Sequence, residues 1–349
     1  MFTRNETKTV RIGDVTIGGG NKIAVQSMTN TKTHDVAATV AQINALTELG
    51  CEIVRVAVAD MTDAEAIADI KKQIKIPLVA DIHFDYRLAV AAIQSGVDKI
   101  RLNPGNIGGE ENVKTVATLA RERGVPIRIG VNGGSLEKEL LKKYGVPCPE
   151  AIVESAMGHI EMLKNQSFDD IVISLKSSDV NDTIAAYKIF AEKSDIPLHL
   201  GVTEAGGSFA GIVKSAVGIG SMLSQGLGDT IRVSLTGSPL EEIKAAKQIL
   251  KSLKLIEKGV EIVSCPTCGR CNVNLAAIAD EVADKTTGIN KNITIAVMGC
   301  AVNGPGEARE ADFGVACGKG EGLLFKKGEI IKKVKETQIV SELLKMLDE

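Results

Sequence analysis

The chain has no tryptophan, and aromatic residues make up 3% of its 349 positions. Single-stranded nucleic acid is held largely by stacking bases on exposed rings, so this composition argues against such a surface. Charge of one sign is not in excess either: 41 Lys and Arg stand against 44 Asp and Glu, for a formal net charge of −3. That excludes a general basic face for nucleic acid and an acidic tail; any anion must be held by a local cluster of cations. Long apolar runs are missing, so no segment reads as a membrane span. The N-terminal stretch "MFTRNETKTVRIGDV" lacks the apolar core of a secretory signal. The expectation is a soluble, cytoplasmic protein. Cysteine is sparse, with seven residues, odd in number and spread along the chain. Such a set makes no disulfide framework, and in a reducing compartment clustered cysteines more often bind metal.

What is present is a rhythm. With 44% apolar residues the chain can bury a large core. Eight short runs rich in β-branched residues recur between residues 23 and 236: "IAVQSM" (23–28), "EIVRVAV" (52–58), "PLVADI" (77–82), "DKIRLN" (98–103), "PIRIGVN" (126–132), "DIVISLK" (170–176), "PLHLGVT" (197–203) and "TIRVSLT" (230–236). Amphipathic stretches such as "VAATVAQINALTELG" (36–50) and "GEENVKTVATLARERG" (109–124) lie between them, and several end in glycine, at Gly50, Gly96 and Gly124. Eight strand–helix units predict a TIM-type (β/α)8 barrel over residues 1–255, with a doubly wound open sheet as the alternative.

Beyond residue 255 the texture changes. "EKGVEIVSCPTCGRC" reads as a strand entering a cysteine loop, "VNLAAIADEVADKTTG" as a helix, and "NITIAVMGC" as a second strand. A glycine-rich turn, a strand and the closing helix "IVSELLKMLDE" follow. This predicts a small α+β domain over residues 256–349.

Two constellations carry chemistry. The first is cysteine. Cys265, Cys268 and Cys271 are spaced by two residues, and Cys300 ends the next strand. A zinc knuckle is one reading, but zinc wants four N or S ligands and this half of the chain has no histidine. An iron–sulfur cluster is another, since such clusters take thiolates from a tight loop plus a distant cysteine. Unrelated buried thiols are the third. If Cys265, Cys268 and Cys300 ligate, the fourth position falls to Cys271, to Glu307, or to no protein group. The second constellation is cationic. Arg55, Arg101, Arg128, Lys176 and Arg232 each sit among apolar residues in a strand. Buried cations need anions. Internal pairing with Asp81, Glu204 or Asp229 can serve some of them. For all five the acids run short, and an anionic ligand at the C-terminal mouth of the barrel is the better account. Polar residues at strand ends join them: Asp81, His83, Asn103, Asn132, Thr203, Glu204 and Ser234. Their chemistry suits a small polyhydroxylated phosphate ester. No GxGxxG sits in a strand-to-helix turn, which discounts a bound nicotinamide. A pterin- or corrinoid-linked methyltransferase barrel explains the anion mouth but not the cysteines; an iron–sulfur carrier or zinc-stapled module explains the cysteines but not the cations.

The segments "VQSMTNT", "DIHFDYRLA", "IRLNPGNIG", "RIGVNGGSL", "GVTEAG", "SCPTCGR" and "GCAVNGPGEA" resemble the 4-hydroxy-3-methylbut-2-enyl diphosphate synthase family of the methylerythritol phosphate route to isoprenoids. The resemblance covers nearly the whole chain. It implies a TIM barrel followed by a [4Fe-4S] domain, working as a homodimer with flavodoxin or ferredoxin as electron donor. The implied substrate is 2-C-methyl-D-erythritol 2,4-cyclodiphosphate. The implied cluster ligands are Cys265, Cys268, Cys300 and Glu307. The implied substrate-binding residues are Arg55, Asp81, His83, Arg101, Asn103, Arg128, Asn132, Lys176, Thr203, Arg232 and Ser234, with Glu204 as acid–base. Cys271 departs from many members, which have no thiol there.

Overall fold

A hairpin, β1 (Val10–Ile12) and β2 (Val15–Ile17), opens the chain and is followed by eight parallel strands. These are β3 (Ala24–Met28), β4 (Ile53–Ala57), β5 (Leu78–Asp81), β6 (Lys99–Leu102), β7 (Ile127–Asn132), β8 (Ile171–Lys176), β9 (His199–Leu200) and β10 (Thr230–Ile231). The computed structural model describes residues 2–256, 259–286, 289, 291–300 and 309–348. The sheet runs β8-β7-β6-β5-β4-β3-β10-β9. It closes through a parallel bridge between Ile173 and Leu198, with the Ile173 amide donating to Pro197 O at 3.0 Å. The expected (β/α)8 barrel is therefore borne out, and the open sheet is not. The last two strands are only two residues long. Their chain continues through "GVT" and "VSLT" without regular pairing, and at Gly201 a Cβ would lie 2.9 Å from Arg232 O and 3.1 Å from Lys176 Nζ.

Helices α1 (Val36–Glu48), α2 (Met61–Lys71), α3 (Tyr86–Gln94), α4 (Glu110–Arg123), α5 (Lys138–Tyr144), α6 (Pro149–Lys164), α7 (Val180–Ala191), α8 (Ser208–Leu223) and α9 (Pro239–Ser252) connect the strands and cover them. Asp35, Asp60, Asp85 and Asp179 cap the starts of α1, α2, α3 and α7 by accepting from backbone amides, as short polar N-caps do. Gly124, with φ of 63°, ends α4 in the left-handed conformation that glycine adopts without strain. Strand alternation sends one set of side chains outward to the helices. The inward set forms two zones. At the N-terminal end of the barrel, Ala24, Ile53, Val79 and Val172 pack with Val10, Ile12 and Ile17 of the hairpin into an apolar plug. Above the plug the inward residues turn polar.

The chain divides into two compact units, Met1–Leu255 and Ile256–Glu349. The second holds a five-stranded sheet ordered β11 (Val260–Ser264), β12 (Ile293–Met298), β13 (Phe313–Cys317), β14 (Glu321–Lys326) and β15 (Glu329–Lys335). The first three are parallel and the last two antiparallel. Period-two alternation splits β12 between two cores. Ile295 and Val297 pack with Leu275 and Val282 of α10 (Leu275–Thr286) and with Ile339 and Leu343 of α11 (Ile339–Asp348). Ala296 and Met298 pack on the opposite face with Ala316 and Phe325. The sequence reading found β11, α10, β12, β13 and α11 but missed the hairpin β14–β15, whose second strand, "EIIKKVK", reads as a charged stretch rather than an alternating one. The hairpin β1–β2 was missed because its strands are three residues each.

Candidate active site

Alternation along the barrel strands places Arg55 (β4), Asp81 (β5), Lys99 and Arg101 (β6), Arg128 (β7), Ser174 and Lys176 (β8) on inward faces, each in register with its neighbours. All but Lys99, which opens β6 below the others, meet at the C-terminal end of the barrel, where a cavity of about 210 Å³ opens. Its cationic lining is Arg55, Arg101, Arg128, Lys176 and Arg232. Its remaining lining is Asp81, His83, Asn132, Ser174, Thr203 and Ser234. All five strand cations expected from the sequence are thus brought together, with every expected polar partner except Asn103 and Glu204.

Asp81 is the acid at the centre. Its carboxylate lies 3.3 Å from Arg101 Nη1, 3.8 Å from Arg55 Nε and 3.6 Å from His83 Nε2. Burial alone would raise this carboxyl, but Arg55, His83, Arg101 and Arg128 together hold it well below the ordinary carboxylate range. Arg55 completes its contacts on a thioether: Nε and Nη2 lie 3.2 and 3.0 Å from Met28 Sδ. Burial, with Arg232 and Arg101 nearby, pulls Arg55 down to about 10, against the opposing pull of Asp81. Arg101 Nη2 donates to Gly130 O at 3.0 Å, and a Cβ on Gly130 would sit 2.5 Å from Arg101 Nε. Gly130 is therefore a space-maker for the guanidinium rather than a turn residue.

Arg232 approaches Glu242 of α9 at 3.5 Å. Glu242 also accepts from Ser27 Oγ at 2.9 Å and from the Leu235 amide at 3.0 Å. The internal acids are thus Asp81 and Glu242, which corrects two of the three expected. Asp229 lies at the other end of the barrel, accepting from the Leu198 amide at 2.8 Å and Thr7 Oγ1 at 3.1 Å. Glu204 is exposed, in a left-handed backbone conformation with φ of 52°, and its carbonyl accepts from Lys214 Nζ at 3.3 Å. Glu242 escaped the sequence reading because it sits on a helix, where a carboxylate looks like ordinary solvent-facing charge.

Two acids do not satisfy five cations. Arg128 is 1% exposed; Nη1 donates to Ser174 Oγ at 3.0 Å, while Nε and Nη2 have no partner. Arg232 Nε is likewise unpartnered. Burial, with Arg232 and Arg128 adding repulsion, holds Lys176 well below the usual lysine range. Unsatisfied buried donors of one sign suit a multiply charged anion. Asn103 supports the site from behind: its Oδ1 accepts from the Gly130 amide at 3.0 Å. Ser174 was missed in the apolar run "DIVISLK", although its two-residue offset from Lys176 puts it on the same face.

In the second unit, β11 and β12 run parallel with Ser264 opposite Val297, so the two strands finish side by side at the same end of the sheet. Cys265 and Cys268 lie on the first loop and Cys300 on the second. The Gly299 amide donates to Cys265 Sγ at 3.2 Å, and a Cβ on Gly299 would stand 2.8 Å from Cys271 Sγ. Cys271 Sγ itself lies 3.3 Å from Val273 O. Hydrogen bonds from Arg270 push the exposed Cys268 thiol down, toward the thiolate form that binds metal. Cys317 behaves otherwise: burial pushes its thiol up to about 12. Among the described residues no three His, Cys, Asp or Glu side chains stand close enough together to hold a metal ion. Glu307, the expected fourth ligand, lies outside the described residues. The donor chemistry fits an iron–sulfur group nonetheless. Soft thiols come from two adjacent strand ends, an amide is aimed at one sulfur, and a glycine leaves room beside them.

Two family models match the chain: the GcpE TIM-barrel domain over residues 7–247 and the GcpE protein C-terminal domain over residues 261–349. Proteins named 4-hydroxy-3-methylbut-2-en-1-yl diphosphate synthase (flavodoxin) are similar over nearly the full length. The one from Ruminiclostridium cellulolyticum is 60% identical over 346 residues, covering 99% of this chain and 98% of that protein. That from Clostridium perfringens is 58% identical, covering 99% of each, and that from Bacillus cereus is 56% identical, covering 100% of this chain and 94% of that protein. Among solved structures, dihydropteroate synthase from Stenotrophomonas maltophilia aligns with a TM-score of 0.53 at 13% identity, covering 71% of this chain and 97% of that one. Type I 3-dehydroquinate dehydratase from Clostridium difficile aligns with a TM-score of 0.51 at 16% identity, covering 72% of this chain and 100% of that one. At such identities the likeness is one of fold alone.

Proposed function

The chain belongs to the GcpE family, and on that premise we propose that it reductively opens and dehydroxylates 2-C-methyl-D-erythritol 2,4-cyclodiphosphate to (E)-4-hydroxy-3-methylbut-2-enyl diphosphate in isoprenoid biosynthesis. The reaction takes in two electrons and one proton and releases one water. The observation that carries the reading is the barrel cavity: five inward cations against two carboxylates, with guanidinium nitrogens of Arg128 and Arg232 left without partners. A cyclic diphosphate supplies the missing negative charge and bidentate acceptors.

In this reading residues 1–255 form the substrate-binding domain. Arg55, Arg101, Arg128, Lys176 and Arg232 hold the two phosphates. Asn132, Thr203, Ser234 and His83 offer hydrogen bonds to the hydroxyls, and Asn103 keeps the Gly130 backbone in place beneath Arg101. Negative charge grows on the phosphate oxygen as its bond to carbon breaks. Cations already fixed around that oxygen stabilise it without reorganising, which lowers the barrier to ring opening. Asp81 orients Arg55 and Arg101 and keeps His83 close. Glu204, next in sequence to the lining residue Thr203, delivers or accepts the proton at the departing hydroxyl.

Residues 256–349 form the cluster domain, with Cys265, Cys268, Cys300 and Glu307 as ligands of a [4Fe-4S] group. When bound, that group supplies single electrons and a Lewis-acidic iron. The reductant is a small redox protein, flavodoxin as in the names of the relatives, or ferredoxin. A homodimer in the cytoplasm completes the proposal. Helix α8 supports it with an apolar stripe facing away from the barrel: Phe209, Val213 and Val217, at intervals of four, are 84%, 48% and 54% exposed. No helix among the described residues is long and apolar enough to cross a membrane.

Anaerobic purification tests the cofactor. The expected result is a brown protein absorbing near ~400 nm with about four iron and four sulfide per chain. A colourless protein with stoichiometric zinc would remove the redox half of the proposal.

A further inference from the structure

Lys99 opens β6 two residues before Arg101, so alternation turns both side chains into the barrel. Lys99 is 0% exposed and its ammonium nitrogen has no hydrogen-bond partner. It lies beneath the cavity rather than in its lining. The charged groups acting on it are cations: Arg128 from β7 and Arg55 from β4, and it in turn acts on the buried ring of His199 from β9. The adjacent strand β5 carries the acid Asp81, but that carboxylate is committed to Arg55, Arg101 and His83. The hairpin below packs Val10, Ile12 and Ile17 against this end of the barrel.

So many inward cations repel one another, and the repulsion is relieved where one of them gives up its proton. Arginine does not give up its proton, whereas lysine does. We propose that Lys99 sits as a neutral amine while the cavity is empty and takes up a proton when a diphosphate occupies the cavity above it. The proposal deepens the reading given above. The cyclic substrate is a dianion and the ring-opened product a trianion, so a Lys99 protonated on binding places a positive charge beneath the phosphates before the third negative charge appears. Burial, reinforced by Arg128 and Arg55, already holds this lysine well below its usual range in the empty barrel. An anion nearby reverses the sign of its surroundings. Lys176 shares part of this behaviour from the cavity wall, so the test must isolate Lys99.

The experiment is calorimetric titration of the cluster-loaded protein with inorganic pyrophosphate, repeated in buffers of different ionisation enthalpy, for wild type and for Lys99→Met. Pyrophosphate's own protonation is common to both and cancels in the difference. The expected result is that Lys99→Met binds while taking up about one proton fewer than wild type. Equal proton uptake by the two proteins would overturn the proposal and leave the functional reading standing. Failure of wild type to bind either pyrophosphate or the cyclic diphosphate would overturn that reading and the proposal with it. A second measurement needs no ligand. A lysine whose folded pKa is depressed costs stability at low pH and costs less as pH rises toward its unfolded value of about 10.4. Lys99→Met should therefore melt above wild type at neutral pH, with the gap closing toward pH ~10. A gap that stays constant with pH would show a lysine charged throughout and would contradict the proposal.

Discussion

Arg128 offers the sharpest separation between a residue that holds the barrel together and one that waits for a ligand. Its side chain is almost wholly buried, bonds once to Ser174 Oγ, and leaves two nitrogens unpartnered. Replacing it with methionine keeps most of the volume and removes the cation. The lost bond to Ser174 costs about 1.5–3 kcal/mol, and Ser174 keeps a second acceptor in Ile129 O at 3.4 Å. Against this, burying an ion without a counter-charge costs several kcal/mol, and Arg55 and Arg101 add repulsion that the substitution relieves. The balance favours the variant by about 1–3 kcal/mol. For a unit of this size that raises Tm by about 2–4 °C per kcal/mol. Affinity for the cyclic diphosphate moves the other way. Two charge-assisted bonds disappear, at about 1.5–3 kcal/mol each, so kcat/KM falls by about 100-fold or more. Thermal melts and steady-state kinetics on the same preparation check both signs. A variant that melts several degrees lower and turns over normally would refute the reasoning, because Arg128 would then be a structural cation.

Asp81→Asn should lower stability by about 3–5 kcal/mol, since it strips Arg55 and Arg101 of their shared buried carboxylate. Because the Asp81 carboxyl is depressed in the folded protein, its stabilisation is complete above the unfolded value of about 3.9 and is lost as pH falls below that; melts of wild type and variant should converge in that acid range. Gly130→Ala should displace the Arg101 guanidinium, which a new Cβ would meet at 2.5 Å, and weaken substrate binding about tenfold through the loss of one charge-assisted bond. Cys265→Ser, Cys268→Ser and Cys300→Ser should each lose iron, whereas Cys317→Ala should retain it, as measured by iron and sulfide content and visible absorbance. Loss of the cluster in Cys271→Ser alone would show the ligand assignment to be wrong.

The barrel was legible because each strand announces itself twice, by β-branched content and by spacing from the next. The cations were legible for a related reason: a single Arg inside "VRV" or "IRI" breaks an apolar run and must face either the interior or the helix layer. Their partners were not. Glu242 reaches Ser27 across more than 200 residues of sequence and Arg232 from the following helix, and nothing local distinguishes it from its exposed neighbour Glu241. Lys99 was hidden in "DKIRLN", where its neighbour Asp98 suggests a solvent-exposed pair at a strand end. Asp98 in fact bonds Lys71 and the Leu78 amide, while Lys99 turns inward. The short strands β9 and β10 were overestimated from equally convincing runs; regular pairing stops at Leu200 and Ile231, with the Arg232 amide still donating to Leu200 O at 2.9 Å. For the cysteines, spacing identified the two loops but could not select among the thiols. Environment separates Cys317, buried beneath the loops, from Cys268, whose hydrogen bonds favour the thiolate.

Most directly, anaerobic incubation of the iron-loaded protein with reduced flavodoxin and 2-C-methyl-D-erythritol 2,4-cyclodiphosphate, followed by mass spectrometry, tests whether the cationic barrel and the thiol loops serve one reaction. Consumption of the cyclic diphosphate with formation of (E)-4-hydroxy-3-methylbut-2-enyl diphosphate, lost in Arg128→Met at limiting substrate, is the predicted result. Unchanged cyclic diphosphate in the presence of a reduced, fully iron-loaded protein would contradict it.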